Sequence, residues 1–211
     1  MQKLILAHII NPQNDKKAEY FAEGAMLLKG ATKNGEKYYK VEDIGHKKRI
    51  IKNVGSEVEV IDYSDQVIIP SFFDMHFHWV QDDVRQMPKA NLLSWLEKYT
   101  FPAEARFKNK SYAKKKAKEF FKRLASTGTL GGACFSSVHG HAVDYAMEES
   151  IGDLVIGNVL MTMNSPKNLI QKPTEAIDLV SKLSKKYKGK YCLTPRFAIA
   201  TDPDTMKETS K

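Results

Sequence analysis

Short apolar runs separated by turn residues fill the first part of the chain. Runs such as LILAHII, YFAEGAMLLKG and VGSEVEVID are apolar, and Gly30, the Asn34-Gly35 pair and Gly55 mark turns between successive segments. Apolar segments joined by glycine- and asparagine-containing turns are typical of short antiparallel strands. The pattern predicts a small β-sandwich layer, rather than helices, over residues 1–65.

From residue 66 onward the pattern changes to alternating strands and helices. Continuous apolar runs, which are typical of strands covered by helices, occur at residues 66–70, 131–138, 154–163 and 190–198. Apolar residues recur at helical spacing over residues 92–99, 111–126 and 142–151 and in a segment that begins at Pro173. The second region, residues 66–211, is therefore predicted to be an α/β domain with a parallel sheet.

About four β–α units can be arranged in two ways. They can form a small doubly wound sheet, or the first half of a TIM-type (β/α)8 barrel, which takes about 250 residues when complete. No glycine-rich phosphate loop follows any of the predicted strands. That absence from the sequence disfavours a dinucleotide-binding fold, in which such a loop cradles the pyrophosphate.

Composition and cysteine content narrow the class of protein. The 211 residues are 42% hydrophobic and 27% charged, which is ordinary for a globular protein. No apolar run approaches the roughly 18 residues that a membrane-spanning helix needs, so no membrane partner is expected. The two cysteines, Cys134 and Cys192, lie in separate apolar runs. They are interpreted as core thiols of a cytoplasmic protein rather than as a disulfide.

The formal net charge of +8 raises the question of nucleic-acid binding. The lysines cluster at residues 46–52, 108–122 and 182–190. In the second cluster the lysines fall between apolar residues at helical spacing, which indicates the solvated face of a packed helix. No helix-turn-helix, zinc-finger or RNP-like motif accompanies the charge, so nucleic acid is disfavoured as a partner.

The candidate chemistry lies in two His-x-His pairs. His76 and His78 follow the apolar run VIIPSFFDM, and strand alternation places both side chains on one face. Two imidazoles at the carboxyl end of a barrel strand can begin a zinc site. In the rival pair, His139 and His141, the intervening Gly140 suggests a loop, which favours a solvated or hydrogen-bonded role for both imidazoles.

Three segments of the sequence, IIPSFFDMHFH, LLSWLEKYTFPAEARF and LTPRF, resemble the guanine deaminase family of the metal-dependent amidohydrolase superfamily. IIPSFFDMHFH resembles the superfamily's first-strand signature, Pro-Gly-Phe-x-Asp-x-His-x-His, with Ser71 in place of the glycine. LLSWLEKYTFPAEARF and LTPRF are similar to two further segments of guanine deaminases. The resemblance runs from about Val67 to Phe197 and favours the half-barrel over the doubly wound sheet.

The resemblance implies a zinc-dependent hydrolase that converts guanine to xanthine and ammonia with zinc-activated water. It assigns zinc to His76 and His78, and guanine to Gln81, Arg196 and Phe197. A glutamine amide and an arginine fork can read a purine edge, and a phenylalanine can stack on the ring. A homodimer in the cytoplasm is implied for the complete enzyme.

The resemblance also implies that part of the active site is missing from the chain. The family's remaining ligands, its proton-transferring glutamate and its late aspartate are expected on strands beyond the fourth, so the chain alone is expected to be inactive. A related amidohydrolase for another purine, pterin or triazine ring and a non-catalytic half-barrel interaction module remain alternatives. The role of Trp79 is open, and Asp82 and Asp83 are interpreted as solvated loop acids.

Overall fold

The chain forms two compact units. A computed structural model describes residues 2–33, 35–55 and 57–211, and it divides the chain into Met1–Pro70 and Ser71–Lys211. Of the predicted Asn34-Gly35 turn, Gly35 has a positive φ of 83°, and Asn34 lies outside the described residues. Glycine adopts this backbone conformation at little steric cost, which suits a tight connection between strands.

The first unit is one mixed sheet with a short helix. Its elements are β1 (Gln2–Pro12), β2 (Ala18–Lys33), β3 (Glu36–His46), α1 (Lys47–Ile51) and β4 (Glu59–Ile68). The strand order is β3-β2-β1-β4, and β1 pairs antiparallel with β2 but parallel with β4. The predicted β-layer is present, although β2 is 16 residues long and one pairing is parallel, so the strands are neither uniformly short nor uniformly antiparallel.

The sequence pattern missed α1. Its sequence, KKRII, belongs to the first lysine cluster, and the charges hide the single apolar position that the helix buries. Ile50 is 1% exposed and packs with Leu4, Leu27 and Ala25 of the sheet. Burial of one isoleucine contributes about 1.5–3 kcal/mol, which helps to hold a helix too short to be stable alone.

The second unit is an all-parallel sheet with helices in the connections. The strands are β5 (Phe72–His78), β6 (Thr129–Ser136), β7 (Asp153–Leu160) and β8 (Thr194–Pro195), in the order β5-β6-β7-β8. The helices are α2 (Leu92–Trp95), α3 (Phe101–Ala105), α4 (Lys110–Ser126), α5 (Gly140–Glu149), α6 (Pro173–Lys186) and α7 (Pro203–Thr209). Short 3-10 segments cover Trp79–Val84 and Arg106–Lys108, and a π-helical turn covers Leu96–Thr100. The predicted α/β class with repeated β–α units is confirmed.

Two strands differ from the prediction for reasons that involve proline. The run at residues 66–70 does not continue into the histidines, because β4 ends at Ile68 and β5 begins at Phe72. Pro70 between them has no backbone N–H to donate to a strand partner. The fourth strand was predicted over residues 190–198, but only Thr194–Pro195 pair with β7 as a strand, and Pro195 again lacks the donor.

Helices α4 and α5 cover the parallel sheet with small and aromatic residues. Ala113, Ala117 and Phe121 of α4 are at most 1% exposed and share a core with Ala142 and Ala146 of α5. Small side chains let the two helices lie close to each other and to the strands. No helix in the described ranges is long and apolar enough to cross a membrane.

The two cysteines are free thiols, as predicted. Cys134 of β6 is fully buried, and Cys192 is half-buried. Burial raises the pKa of both thiols, that of Cys192 to about 11, because the apolar surroundings disfavour the thiolate. Both side chains therefore pack as neutral groups.

The two acids after β5 lie in the 3-10 segment Trp79–Val84 and pair with α4, so the prediction of loop acids was wrong. Asp83 is exposed, as predicted, whereas the side chain of Asp82 is only 15% exposed. Asp83 accepts hydrogen bonds from Lys116 Nζ at 2.6 Å and from Tyr112 Oη at 3.0 Å, and Asp82 is paired with Arg123. These contacts lower the pKa of Asp83 against the raising effect of its partial burial. Part of the basic face of α4 thus anchors the segment that follows the histidines.

Candidate functional site

His76 and His78 lie side by side at the end of β5. Their ring centroids are 5.3 Å apart, and both rings contact Phe135 of β6, with centroid distances of 4.3 Å for His76 and 4.8 Å for His78. The two imidazoles therefore share a face of the sheet, as strand alternation requires. His76 is exposed, whereas His78 is half-buried.

The environment of His78 suits a metal ligand. Burial lowers the pKa of His78 to about 3, and the electrostatic influence of Arg196 and His76 acts in the same direction. The imidazole is therefore neutral near pH 7, which is the form that binds zinc. Its Nδ1 is buried and has no hydrogen-bond partner among the described residues. Two histidines can thus hold a metal in part, but catalytic zinc usually takes three protein ligands, and the described residues contain no cluster of three.

Gln81 lies next to this pair in the 3-10 segment Trp79–Val84. Together with His76 and His78 it lines a cavity of about 590 Å³. Trp79 anchors the segment, because its side chain is 1% exposed and its Nε1 donates to Ser136 Oγ at 3.0 Å. Trp79 is therefore a core residue that fixes where Gln81 lies.

A buried carboxylate joins Gln81 to Arg196. Glu104 of α3 is fully buried, and its Oε1 accepts a hydrogen bond from Gln81 Nε2 at 3.0 Å and one from Arg196 Nη1. Burial raises the pKa of Glu104, and the charge and hydrogen bonds of Arg196 and Gln81 oppose that rise. The three side chains come from three separate segments, so the fold assembles this group.

Sequence reasoning assigned no role to Glu104. The available signal was an acidic residue within the apolar helical stretch FPAEARF, between Ala103 and Phe107, both of which are buried. Glutamate is almost never fully buried unless it is paired. The sequence alone does not show that its partner is Arg196, far along the chain.

Arg196 and Phe197 follow β8. The guanidinium carbon of Arg196 lies 5.5 Å from the ring centroid of Phe197 and 5.7 Å from that of Phe101, so the cation lies near two aromatic rings. Phe197 is half-buried and lines a second, smaller cavity of about 160 Å³ together with Phe101 and Leu96. The structure therefore links Arg196 to Gln81 through Glu104, but it places Phe197 on a cavity different from that of the histidines.

The rival pair, His139 and His141, belongs to the start of α5. The sequence predicted a loop at Gly140, but Gly140 is the first residue of this helix. The two rings are stacked 5.7 Å apart, and His141 Nε2 lies 2.7 Å from the carbonyl oxygen of Phe107. The hydrogen-bonded role expected for the pair is present at His141, whereas His139 Nε2 is buried without a partner in the described ranges.

No protein-family profile matches the chain. The guanine deaminase of Escherichia coli (strain K12) is 31% identical over 205 residues, which cover 94% of this chain and 45% of that protein. The solved structure of E. coli guanine deaminase matches with a TM-score of 0.82 and 27% identity, over 99% of this chain and 49% of that chain. The chain thus spans about half the length of the relatives it matches.

Two other solved structures show the same fold at lower identity. Guanine deaminase from C. acetobutylicum, with guanine bound in its active site, matches with a TM-score of 0.80 and 24% identity over 99% of this chain and 49% of that one. Atrazine chlorohydrolase from Arthrobacter aurescens TC1, in complex with zinc and atraton, matches with a TM-score of 0.72 and 14% identity over 98% and 49%. The chain is therefore a homologue of the guanine deaminases, built on the barrel fold of the amidohydrolases, and an N-terminal portion of such a protein fits its length.

Proposed function

We propose that this chain supplies the first zinc ligands and the purine-reading residues of a guanine deaminase, which hydrolyses guanine to xanthine and ammonia. The observation that carries the proposal is the cavity lined together by His76, His78 and Gln81. A metal-binding pair beside a side-chain amide suits a ring that must be both oriented and attacked. The homology to guanine deaminases supports guanine as the ring.

His76 and His78 would hold the zinc ion. When bound, zinc would make water nucleophilic near neutral pH. The protein's contribution is to keep His78 neutral through burial and through the nearby charge of Arg196, so that the ring nitrogens carry no excess proton. Phe135 packs against both imidazoles and limits their rotation.

By the family resemblance, Gln81, Arg196 and Phe197 would hold the purine. In this chain Gln81 lines the cavity of the histidines, whereas Phe197 lines a different cavity and the Arg196 side chain is 1% exposed. The Gln81 amide offers an acceptor and a donor, and the guanidinium of Arg196 offers several donors in a fixed plane. Phe197 would supply an apolar surface for stacking on the ring. The proposal also includes the cytoplasmic homodimer that the resemblance implies for the complete enzyme.

The zinc assignment predicts that His76→Ala/His78→Ala will lower the zinc affinity of the chain by at least about 100-fold, because both ligands are removed. Zinc binding would be measured by isothermal titration calorimetry. The matched control is His139→Ala/His141→Ala, which removes the chain's other His-x-His pair and should leave the affinity unchanged. Tight binding that survives the first double substitution, or is lost only in the second, would refute the assignment.

The purine assignment predicts that Gln81→Ala will weaken guanine binding by about fivefold, since one hydrogen bond is worth roughly 1 kcal/mol. Binding would be measured by equilibrium dialysis in the presence of zinc, with guanine followed by its ultraviolet absorbance. The exposed Gln86, in the same part of the chain, provides the control Gln86→Ala, which should bind guanine as the wild type does. A wild-type chain that binds a pterin or triazine ring in preference to guanine would contradict the choice of substrate.

A further inference from the structure

Glu104 holds both polar residues of the proposed purine site with a single oxygen atom. Its Oε1 accepts from Gln81 Nε2 at 3.0 Å and from Arg196 Nη1, and the carboxylate is fully buried. We propose that Glu104 is a positioning residue that determines which hydrogen-bonding groups Gln81 and Arg196 present to the purine, and thereby the preference for guanine over adenine. This inference rests on the proposed function.

The carboxylate fixes the orientation of the Gln81 amide. An ionised carboxylate only accepts hydrogen bonds, whereas the two ends of an amide differ, one donating and one accepting. Rotation of the amide by half a turn would place Gln81 Oε1 against Glu104 Oε1, two acceptors in contact at a buried site. The amide is therefore held with Nε2 toward Glu104, which leaves Oε1 and one N–H of Gln81 for a ligand.

The same carboxylate fixes the guanidinium of Arg196. One N–H group on Nη1 is committed to Glu104, and the rings of Phe101 and Phe197 lie 5.7 Å and 5.5 Å from the guanidinium carbon. Arg196 Nε is buried and has no partner among the described residues. Because the guanidinium is planar and rigid, fixing one nitrogen while two rings lie close to the guanidinium carbon restricts the direction of the remaining donors.

The resulting arrangement of a hydrogen-bond acceptor on Gln81 and donors on Arg196 suits guanine better than adenine. Guanine carries ring N–H and amino donors next to a carbonyl acceptor, so an acceptor on Gln81 and donors on Arg196 complement one edge of the ring. Adenine carries an amino donor where guanine has the carbonyl and a bare ring nitrogen where guanine has N–H. A reversed pattern leaves buried polar groups unpaired, which is how such sites discriminate most strongly.

If Glu104 served only to neutralise Arg196, it would not need the additional hydrogen bond from Gln81. Glu104 Oε2 has no partner in the described part of the chain, while Oε1 accepts from two side chains. Both contacts therefore converge on one atom, and movement of that atom disturbs Gln81 and Arg196 together. This predicts that Glu104 affects the choice between bases, beyond its effect on the strength of binding.

The test compares the guanine and adenine dissociation constants of Glu104→Asp, Glu104→Gln and the wild-type chain by equilibrium dialysis with zinc present. The aspartate variant keeps the charge opposite Arg196 but withdraws the oxygen by one methylene, and the glutamine variant keeps the size but can also donate. We expect the wild type to prefer guanine by at least about tenfold, and both variants to lose most of that preference. The control Glu175→Gln changes an exposed glutamate of α6 that lines neither cavity, and it should keep the preference for guanine.

The outcomes separate this inference from the proposed function. If the wild type does not bind guanine, the proposed function fails and the inference fails with it. If the wild type prefers guanine and the folded variants keep the same guanine-to-adenine ratio within twofold, the inference alone is overturned, even where both affinities fall equally. If Glu104→Gln does not fold, the ratio measured for Glu104→Asp decides, since that variant retains the buried charge pair.

Discussion

Replacing Arg196 with methionine is expected to destabilise the second unit by about 3–5 kcal/mol, because it leaves a buried carboxylate without its counter-charge. The side chains of Arg196 and Glu104 are 1% and 0% exposed, so water cannot replace the lost partner. The hydrogen bond from Gln81 remains, but a neutral donor compensates a buried charge only in part. Urea unfolding of the chain, followed by circular dichroism, would measure the loss.

The double variant Glu104→Leu/Arg196→Met provides the decisive comparison. Removing both charges together is expected to restore the stability to within about 1 kcal/mol of the wild type or to exceed it, since apolar replacements of buried pairs are often neutral or stabilising. The matched surface pair is Lys186–Asp144, in which the side chains are 50% and 38% exposed. Lys186→Met should cost less than about 1 kcal/mol. A loss in Arg196→Met no larger than that in Lys186→Met would show that Glu104 is not left as a costly unpaired charge when Arg196 is removed.

The loss in Arg196→Met should also depend on pH. Burial raises the pKa of Glu104, and the substitution removes the largest opposing influence, so the pKa of Glu104 rises further. A carboxyl group whose folded pKa lies above its unfolded pKa binds protons more readily in the folded state. The destabilisation is therefore full above the folded pKa and shrinks as the pH falls through it.

Local features of the sequence predicted that His76 and His78 share a face of the sheet, but not which residues pack against them. His76 and His78 share a face because strand residues alternate, and this requires no knowledge of the rest of the chain. Their common packing partner, Phe135, comes from a neighbouring strand and depends on the register between β5 and β6. The alternation of strands and helices predicted that β5 and β6 are neighbours in a parallel sheet. Their register depends on contacts between segments, which the sequence of one segment does not reveal.

The ion pairs of the second unit show why the other contacts escaped prediction. Asp83 and Glu104 both looked like ordinary acids in their own segments, and their partners Lys116 and Arg196 lie in other elements. Which distant residues form an ion pair depends on how the helices and strands pack, and a single sequence does not show this. The same reasoning applies to α1, whose buried Ile50 is visible only once the sheet is known.

Gly132→Ala is expected to destabilise the second unit by roughly 2–6 kcal/mol, which combines backbone strain of about 1–3 kcal/mol with overpacking of about 1–3 kcal/mol. Gly132 of β6 has a φ of 129°, a conformation that residues with a Cβ rarely adopt. A Cβ at this position would lie 1.8 Å from the backbone oxygen of Asp74 in β5. Backbone atoms cannot move aside as the end of a flexible side chain can, so the two strands would have to separate.

Separation of the strands should reach the metal ligands as well. The pairing of β5 with β6 is already irregular between Asp74 and Phe77, and the Asp74 carboxylate accepts a hydrogen bond from the backbone N–H of His76 at 3.0 Å. Displacement of Asp74 would therefore shift His76 relative to His78. We expect Gly132→Ala to lower the zinc affinity together with the urea midpoint.

Gly189→Ala is the control that introduces backbone strain without a steric clash of the added Cβ. Gly189 also has a positive φ, 80°, but a Cβ there would meet nothing within 4 Å. Its substitution should cost only about 1–2 kcal/mol and leave zinc binding unchanged, since it follows α6 and lies apart from β5. If Gly132→Ala proves as mild as Gly189→Ala in both measurements, the close approach of β5 and β6 does not hold the histidines in place. A larger loss in Gly132→Ala alone would instead show that this glycine allows the first two strands of the sheet to bring the ligands together.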